Sequence, residues 1–204
     1  MAALARLGKY KMPDIILASS SPRRQIILKQ TGLPFKVVTP DVDESTVNSA
    51  RPSTLVKKLA LLKAQAVRPK FPDDTIISAD TVVCHNGQVL GKPKDLPHAR
   101  QMLRSLSGNT HCVHTGVCVY VNGKRFLYSV KSKVTFEDIS DEFIEQYISK
   151  YPVLDKAGAY GVQQGAFYFI RQIKGEIGNV VGLPTKRLKR ILKSHKQKNK
   201  GEIF

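Results

Sequence analysis

Asp14-Ile15-Ile16-Leu17-Ala18-Ser19-Ser20-Ser21-Pro22-Arg23-Arg24-Gln25-Ile26-Ile27-Leu28 is the stretch from which the fold can be read outward. A short apolar run ends in three serines, a proline follows, and two arginines open an amphipathic segment. The pattern is strand, tight loop, helix. Ser21 suits the N-cap, and Pro22 suits the first helical position, where its missing N–H would be unpaired anyway. The helix start then offers free backbone N–H groups and the positive end of a dipole, a ready anion site. With Arg23 and Arg24 beside three hydroxyls, the segment is suited to gripping phosphates. A capped surface helix with solvated arginines would give the same local pattern, so both readings stay open at this point.

Downstream, Phe35 to Thr39 reads as a strand, and Asp41 to Ser45 as a carboxylate-rich loop. Leu55, Leu59, Leu62 and Ala66 mark a helix from about Ser53 to Val67, flanked by Lys57, Lys58 and Lys63. Thr75 to Ala79 is a short buried-type strand that ends at Asp80-Thr81. Asn86-Gly87 is a hairpin turn into Gln88 to Leu90. A helix follows near Leu96 to Leu106, stopped by Gly108. Cys112 to Val121 and Lys124 to Val134 are β-rich and joined at Asn122-Gly123. Asp141 to Lys150 is helical, Ala166 to Ile173 is strand-like, and Pro184 opens a final helix. Helices alternate with strands early and a long hairpin comes later, so an α/β protein with a mixed central sheet is expected. The expected organisation is an N-terminal extension over 1–12, one domain over 13–195 and a basic, frayed tail over 196–204.

The chain has 204 residues and a formal net charge of +17. No apolar run approaches a membrane span, and no long apolar region opens the chain, so a membrane protein or a secretory signal is not expected. Cys84, Cys112 and Cys118 lack paired spacing, which points to a reducing, cytoplasmic setting. The basic excess favours a polyanionic partner, either a phosphorylated small molecule or a nucleic acid. Lys186 to Lys193 reads as a docked helix with a solvated basic face, because Leu188, Ile191 and Leu192 fall at helical spacing. Aromatics do not interleave with the basic residues, so nucleic-acid binding is kept only as the rival function.

Three further groups could join the serine–arginine segment. Asp43 and Glu44 follow a strand. Asp80 and Thr81 stand at the carboxyl end of another, where open α/β sheets bind ligands. Lys92 and Lys94 are presented by Gly91 and Pro93. His111 and His114 look like a metal pair, but on a strand they point to opposite faces, and no second ligand pair stands at zinc spacing. There is no GxGxxG fingerprint and no P-loop.

Taken together, Leu17 to Arg24, Asp43-Glu44, Leu59 to Ala64, Ser78 to Val83, Leu90 to Pro93 and Asp155-Lys156-Ala157-Gly158-Ala159-Tyr160-Gly161-Val162-Gln163 resemble the Maf family, with every block in order between about Ile15 and Pro184. The resemblance implies nucleoside triphosphate pyrophosphatase activity. It also implies a fold shared with the inosine-triphosphate pyrophosphatases, a cleft between two lobes and a homodimer. It implies that Ser21, Arg23 and Arg24 grip phosphate, that Glu44 and Asp80 are the acidic pair, with Asp80 as general base, and that Lys63 and Lys92 contact the triphosphate. Arg23, Thr81 and Gln163 match positions linked to substrate choice. The 155–163 block resembles the subgroup acting on dTTP and UTP rather than the one acting on 7-methyl-GTP. Modified nucleotides such as 5-methyl-UTP would make it a house-cleaning enzyme. Ser149 to Leu154 replaces the family's common Ser-Gly-Glu approach, and Gln164 stands where a glycine often follows. Both departures bear on base preference rather than on chemistry.

Cleavage between the α and β phosphorus atoms needs in-line attack by water and relief of charge on the departing pyrophosphate. An ordinary Asp, with a pKa near ~3.9, is a poor base for bulk water. A divalent cation at Glu44 and Asp80 is therefore expected, magnesium first and manganese as a substitute.

Overall fold

Strand β1 (Ile15–Ala18) is nearly all buried, as a strand covered on both faces must be. In the computed structural model, which describes residues 14–201, it pairs in parallel with β2 (Lys36–Val38) and with β3 (Thr75–His85). The remaining pairings are antiparallel. β3 meets β4 (Gln88–Leu90) and β5 (Thr110–Val121), β5 meets β6 (Lys124–Phe136), and β6 meets β7 (Ile170–Lys174). The sheet order is β2-β1-β3-β5-β6-β7, with β4 attached to β3, which makes it a mixed α/β sheet as expected.

The pleat of β3 sends its side chains alternately to two layers. On one face Ile76 packs with Ile16, Ala18, Cys118 and Tyr120 beneath helix α2 (Pro52–Val67). On the other, Ile77 and Ala79 pack with Leu17 of β1, with Ile27 and Leu28 of helix α1 (Pro22–Lys29) and with Leu188, Ile191 and Leu192. A second lobe grows from the far ends of β3, β5 and β6. There α3 (Leu96–Leu106) and α4 (Asp141–Lys150) enclose Phe136, Tyr147, Tyr160 and Phe169. α5 (Ile177–Val181) and α6 (Thr185–Gly201) close the first lobe. Both Asn-Gly turns are hairpins with left-handed backbone, φ 48° at Asn86 and 78° at Gly87, 47° at Asn122 and 70° at Gly123.

Three expectations are corrected. β3 does not end at Asp80: it continues to His85 because β5 pairs with it from Ile76 to Cys84. Its parallel neighbour β1 does stop there, the last register being Ala18 with Ser78, so Asp80 still lies just past the carboxyl end of β1. The apolar stripe of α2 is Val56, Leu59, Ala60, Lys63, Ala64 and Val67, so Lys63 lies on the buried face rather than beside it. Ala166–Tyr168 is a 3-10 turn, started by left-handed Gly165, and only Ile170–Lys174 is strand. α5 is an element the sequence reading does not contain, and α6 spans Thr185–Gly201. The expected extension over 1–12 and the last residues, 202–204, lie outside the described residues. Cys84, Cys112 and Cys118 are free thiols, and among the described residues no helix is long and apolar enough to cross a membrane.

Candidate active site

A cleft of about 660 Å³ opens between the lobes, within the usual range for a small-molecule site. Ser19, Ser20, Ser21, Arg23, Arg24, Glu44, Lys63, Asp80, Thr81 and Lys92 all line it, so all ten come from segments singled out in the sequence. Lys63 is singled out there by the family resemblance, whereas periodicity places it on a flank of its helix.

The floor is an acid–base cluster. Asp80 and Thr81, adjacent on β3, point to opposite faces of the sheet. Asp80 turns toward α2 and accepts a hydrogen bond from Lys63 Nζ at 2.6 Å. The same ammonium lies 3.1 Å from Glu44 Oε1, so two carboxylates from different segments converge on one buried cation. Glu44 opens a 3-10 turn capped by Asp43, whose carboxylate accepts from the Ser45 N–H and hydroxyl. Asp43 is thus a turn-builder that aims Glu44 inward.

Thr81 turns toward α1. Its hydroxyl accepts from Arg24 Nη2 at 3.3 Å and lies 2.9 Å from the Thr115 hydroxyl. Arg24 also donates to the Gly182 carbonyl and the Ser19 hydroxyl, so three protein acceptors hold its guanidinium. Burial pushes the Arg24 guanidinium below its ordinary range, against the pull of Asp80. Arg24 is therefore a fixed positive wall of the site. Arg23, on the cleft side, donates to the Asp155 carboxylate at 2.7 Å and to the Asp155 carbonyl at 3.2 Å.

Ser21 does occupy the N-cap of α1 with Pro22 after it, but its hydroxyl makes no capping bond. Instead the Ser21 N–H donates to the Ser19 hydroxyl at 3.2 Å. The loop closes on itself and leaves the helix start open toward the cleft. Lys92 is exposed at the rim. Gln163 is exposed and does not line the cleft, which Tyr160, Gly161 and Val162 of that loop do instead. The substituted approach to the loop has a packing role, because a Cβ on Gly165 would lie 2.4 Å from the Tyr151 ring. Asp155 and Lys156 were quoted in the sequence only as part of a motif, and the structure puts both on the cleft wall.

The two carboxylates fit a divalent cation. They offer oxygen donors at one point beside a phosphate-shaped loop, and magnesium is commonly held by one or two carboxylates with substrate phosphates completing its shell. Among the described residues no group of three or more His, Cys, Asp or Glu side chains forms a self-sufficient metal site. His111 and His114 are no exception: His111 is buried against the Tyr160 hydroxyl, 2.8 Å away.

Residues 14–195 match the family model described as Maf-like protein. A dTTP/UTP pyrophosphatase of Symbiobacterium thermophilum is 45% identical over 181 residues, covering 89% of this chain and 93% of the relative. A dTTP/UTP pyrophosphatase of Thermosipho melanesiensis is 47% identical over 179 residues, covering 88% and 96%. Among solved structures, the Ham1 protein of Staphylococcus aureus superposes with a TM-score of 0.52 at 17% identity, over 89% of this chain and 98% of that one, which speaks for the fold alone. With a family match spanning nearly the whole described chain and relatives this similar over most of their length, the chain belongs to the Maf family.

Proposed function

We propose that this protein hydrolyses dTTP and UTP to the nucleoside monophosphate and pyrophosphate. The observation that carries the chemistry is the convergence of Asp80 and Glu44 on the buried Lys63 at the floor of a cleft rimmed by Arg23, Lys92 and the serine loop. The base preference rests on the relatives that carry that name.

The residues divide the work by position. Cations at the floor and rim meet a chain of phosphates, while the fixed Arg24 keeps the wall positive without reaching out. Asp80 is held by a charge-assisted hydrogen bond from Lys63, which orients one oxygen and leaves the carboxylate to take a proton from the attacking water. Charge developing on the departing pyrophosphate falls to Lys63, Lys92 and Arg23, preorganised donors of the kind that lower such barriers. Glu44 and Asp80 would hold a magnesium or manganese ion together with substrate oxygens, and that ion would supply Lewis acidity for the water and neutralise phosphate charge. The proposal extends to a cytoplasmic homodimer, as the family resemblance implies, and gel filtration tests the oligomer.

The experiment is pyrophosphate release from a nucleotide panel with magnesium, for wild type and Asp80→Asn. Release from dTTP and UTP above dATP and dGTP is expected, with a loss on the order of a hundredfold or more in the variant. Wild-type rates in Asp80→Asn would remove Asp80 from the chemistry. Equal turnover of all four would remove the base preference and leave the reaction.

A further inference from the structure

Beyond the groups already assigned, one charged chain crosses the cleft mouth. Lys156 is 2% exposed, and its ammonium donates to Asp155 Oδ1 at 2.5 Å and to the Pro152 carbonyl. The other Asp155 oxygen, Oδ2, accepts from Arg23 Nη1 at 2.7 Å. Arg23 belongs to the first lobe, while Asp155 and Lys156 open the loop that carries Tyr160 and Gly161. That loop is built around the lysine: a Cβ on Gly161 would lie 2.9 Å from Lys156 Cε and 3.1 Å from Cδ. The Gly161 N–H is pinned in turn on the Tyr147 hydroxyl at 3.1 Å.

A buried lysine with a rigid seat holds its acceptor in one place. A guanidinium has five N–H donors, and Asp155 takes two, which leaves three for an anion in the cleft. The carboxylate therefore fixes the direction of Arg23 without using up its capacity to bind phosphate. Fixing a long side chain before the substrate arrives removes rotamer entropy that binding would otherwise have to meet.

Resting on the pyrophosphatase reading of the cleft, we infer that Asp155, seated by Lys156, is a positioning residue that presets Arg23 for the substrate's phosphates and ties it to the loop at 156–163. Asp155 touches no reacting atom and acts through Arg23.

The test is a double-mutant cycle of Asp155→Asn and Arg23→Ala, read in KM and kcat for dTTP and, without turnover, in calorimetric binding of inorganic tripolyphosphate. Asp155→Asn is expected to raise KM about tenfold, the size of one well-oriented charged contact, with kcat changed much less. Tripolyphosphate binding should weaken by a similar factor. In the Arg23→Ala background Asp155→Asn should add little, because the effect runs through Arg23. Asp155→Glu, which keeps the charge and the partner of Lys156, should recover part of the loss. Additive effects in the cycle would overturn the inference, as would an unchanged KM. So would a lower KM, which would make the carboxylate a competitor for the phosphate. If wild type releases no pyrophosphate, the functional reading fails by itself, and the tripolyphosphate cycle still decides the role of Asp155.

Discussion

Gly116 is the point where α2 comes closest to the sheet, and replacing it with alanine tests how the site is held. It lies on β5 opposite Asp80 of β3. A Cβ built on Gly116 would stand 2.2 Å from the Val56 carbonyl oxygen, 2.3 Å from its carbon and 2.7 Å from the Lys57 nitrogen. All three are backbone atoms of α2, so no rotamer can relieve the overlap. Even a 3.0 Å contact, shorter than real Cβ atoms show, requires α2 to retreat by roughly 0.8 Å. Lys63 is two turns along the same helix, and a rigid shift of that size away from the sheet would stretch its 2.6 Å bond to Asp80 to about 3.4 Å, past the usual N–H···O range. Overpacking of this kind costs about 1–3 kcal/mol or more, and a displacement near 1 Å in a catalytic constellation can cost about a hundredfold in rate. Gly116→Ala should therefore lower the urea midpoint by that energy and reduce kcat/KM for dTTP by about two orders of magnitude. A folded variant with wild-type midpoint and wild-type rate would refute the claim that α2 packing sets the Lys63–Asp80 pair.

Two further outcomes follow from buried charge. Lys63→Met keeps most of the stem volume but leaves Asp80 buried without its cation, so unfolding free energy should fall by about 3–5 kcal/mol along with activity. An unchanged urea midpoint would mean that the pair contributes nothing to stability. Burial, helped by His85, pushes the His111 imidazole down to about 4 from an ordinary value near 6.5. Between those values the unfolded chain binds the proton and the folded one does not. Stability is thus intact above pH 6.5 and is lost as pH falls toward 4, by about 3 kcal/mol in all. Urea titrations at pH 7 and pH 4.5 should show a fall in wild type that is reduced by that amount in His111→Gln, and identical slopes in the two proteins would refute the assignment.

Much of the site could be read from the sequence because each element carries its own local signature. Three serines and a proline before two arginines mark a strand–loop–helix junction whatever surrounds it, and Asn-Gly fixes a hairpin through its left-handed backbone. The buried position of Lys63, named in the sequence only through the family resemblance, is also legible: a stripe counted from Val56 rather than Leu55 runs through it at steps of three and four. Lysine on that stripe is excused only by a buried acid opposite, and the acid lies 17 residues away on β3. Asp155 had no such signal, since an Asp-Lys pair in a loop usually sits in water.

The sequence by itself determined the order of the elements, the positions of the hairpins, the mixed α/β class and the set of residues able to handle phosphate, because those follow from short-range periodicity, turn chemistry and side-chain type. Tertiary structure alone decided which of those residues act together. The pleat of β3 sends Asp80 to Lys63 and Thr81 to Arg24, and the packing of α1 hands one arginine to the protein and leaves the other facing the cleft. The loop around buried Lys156 brings Asp155 to Arg23 across 132 positions of chain. Such pairings depend on distances between segments remote in sequence, and no local pattern encodes them.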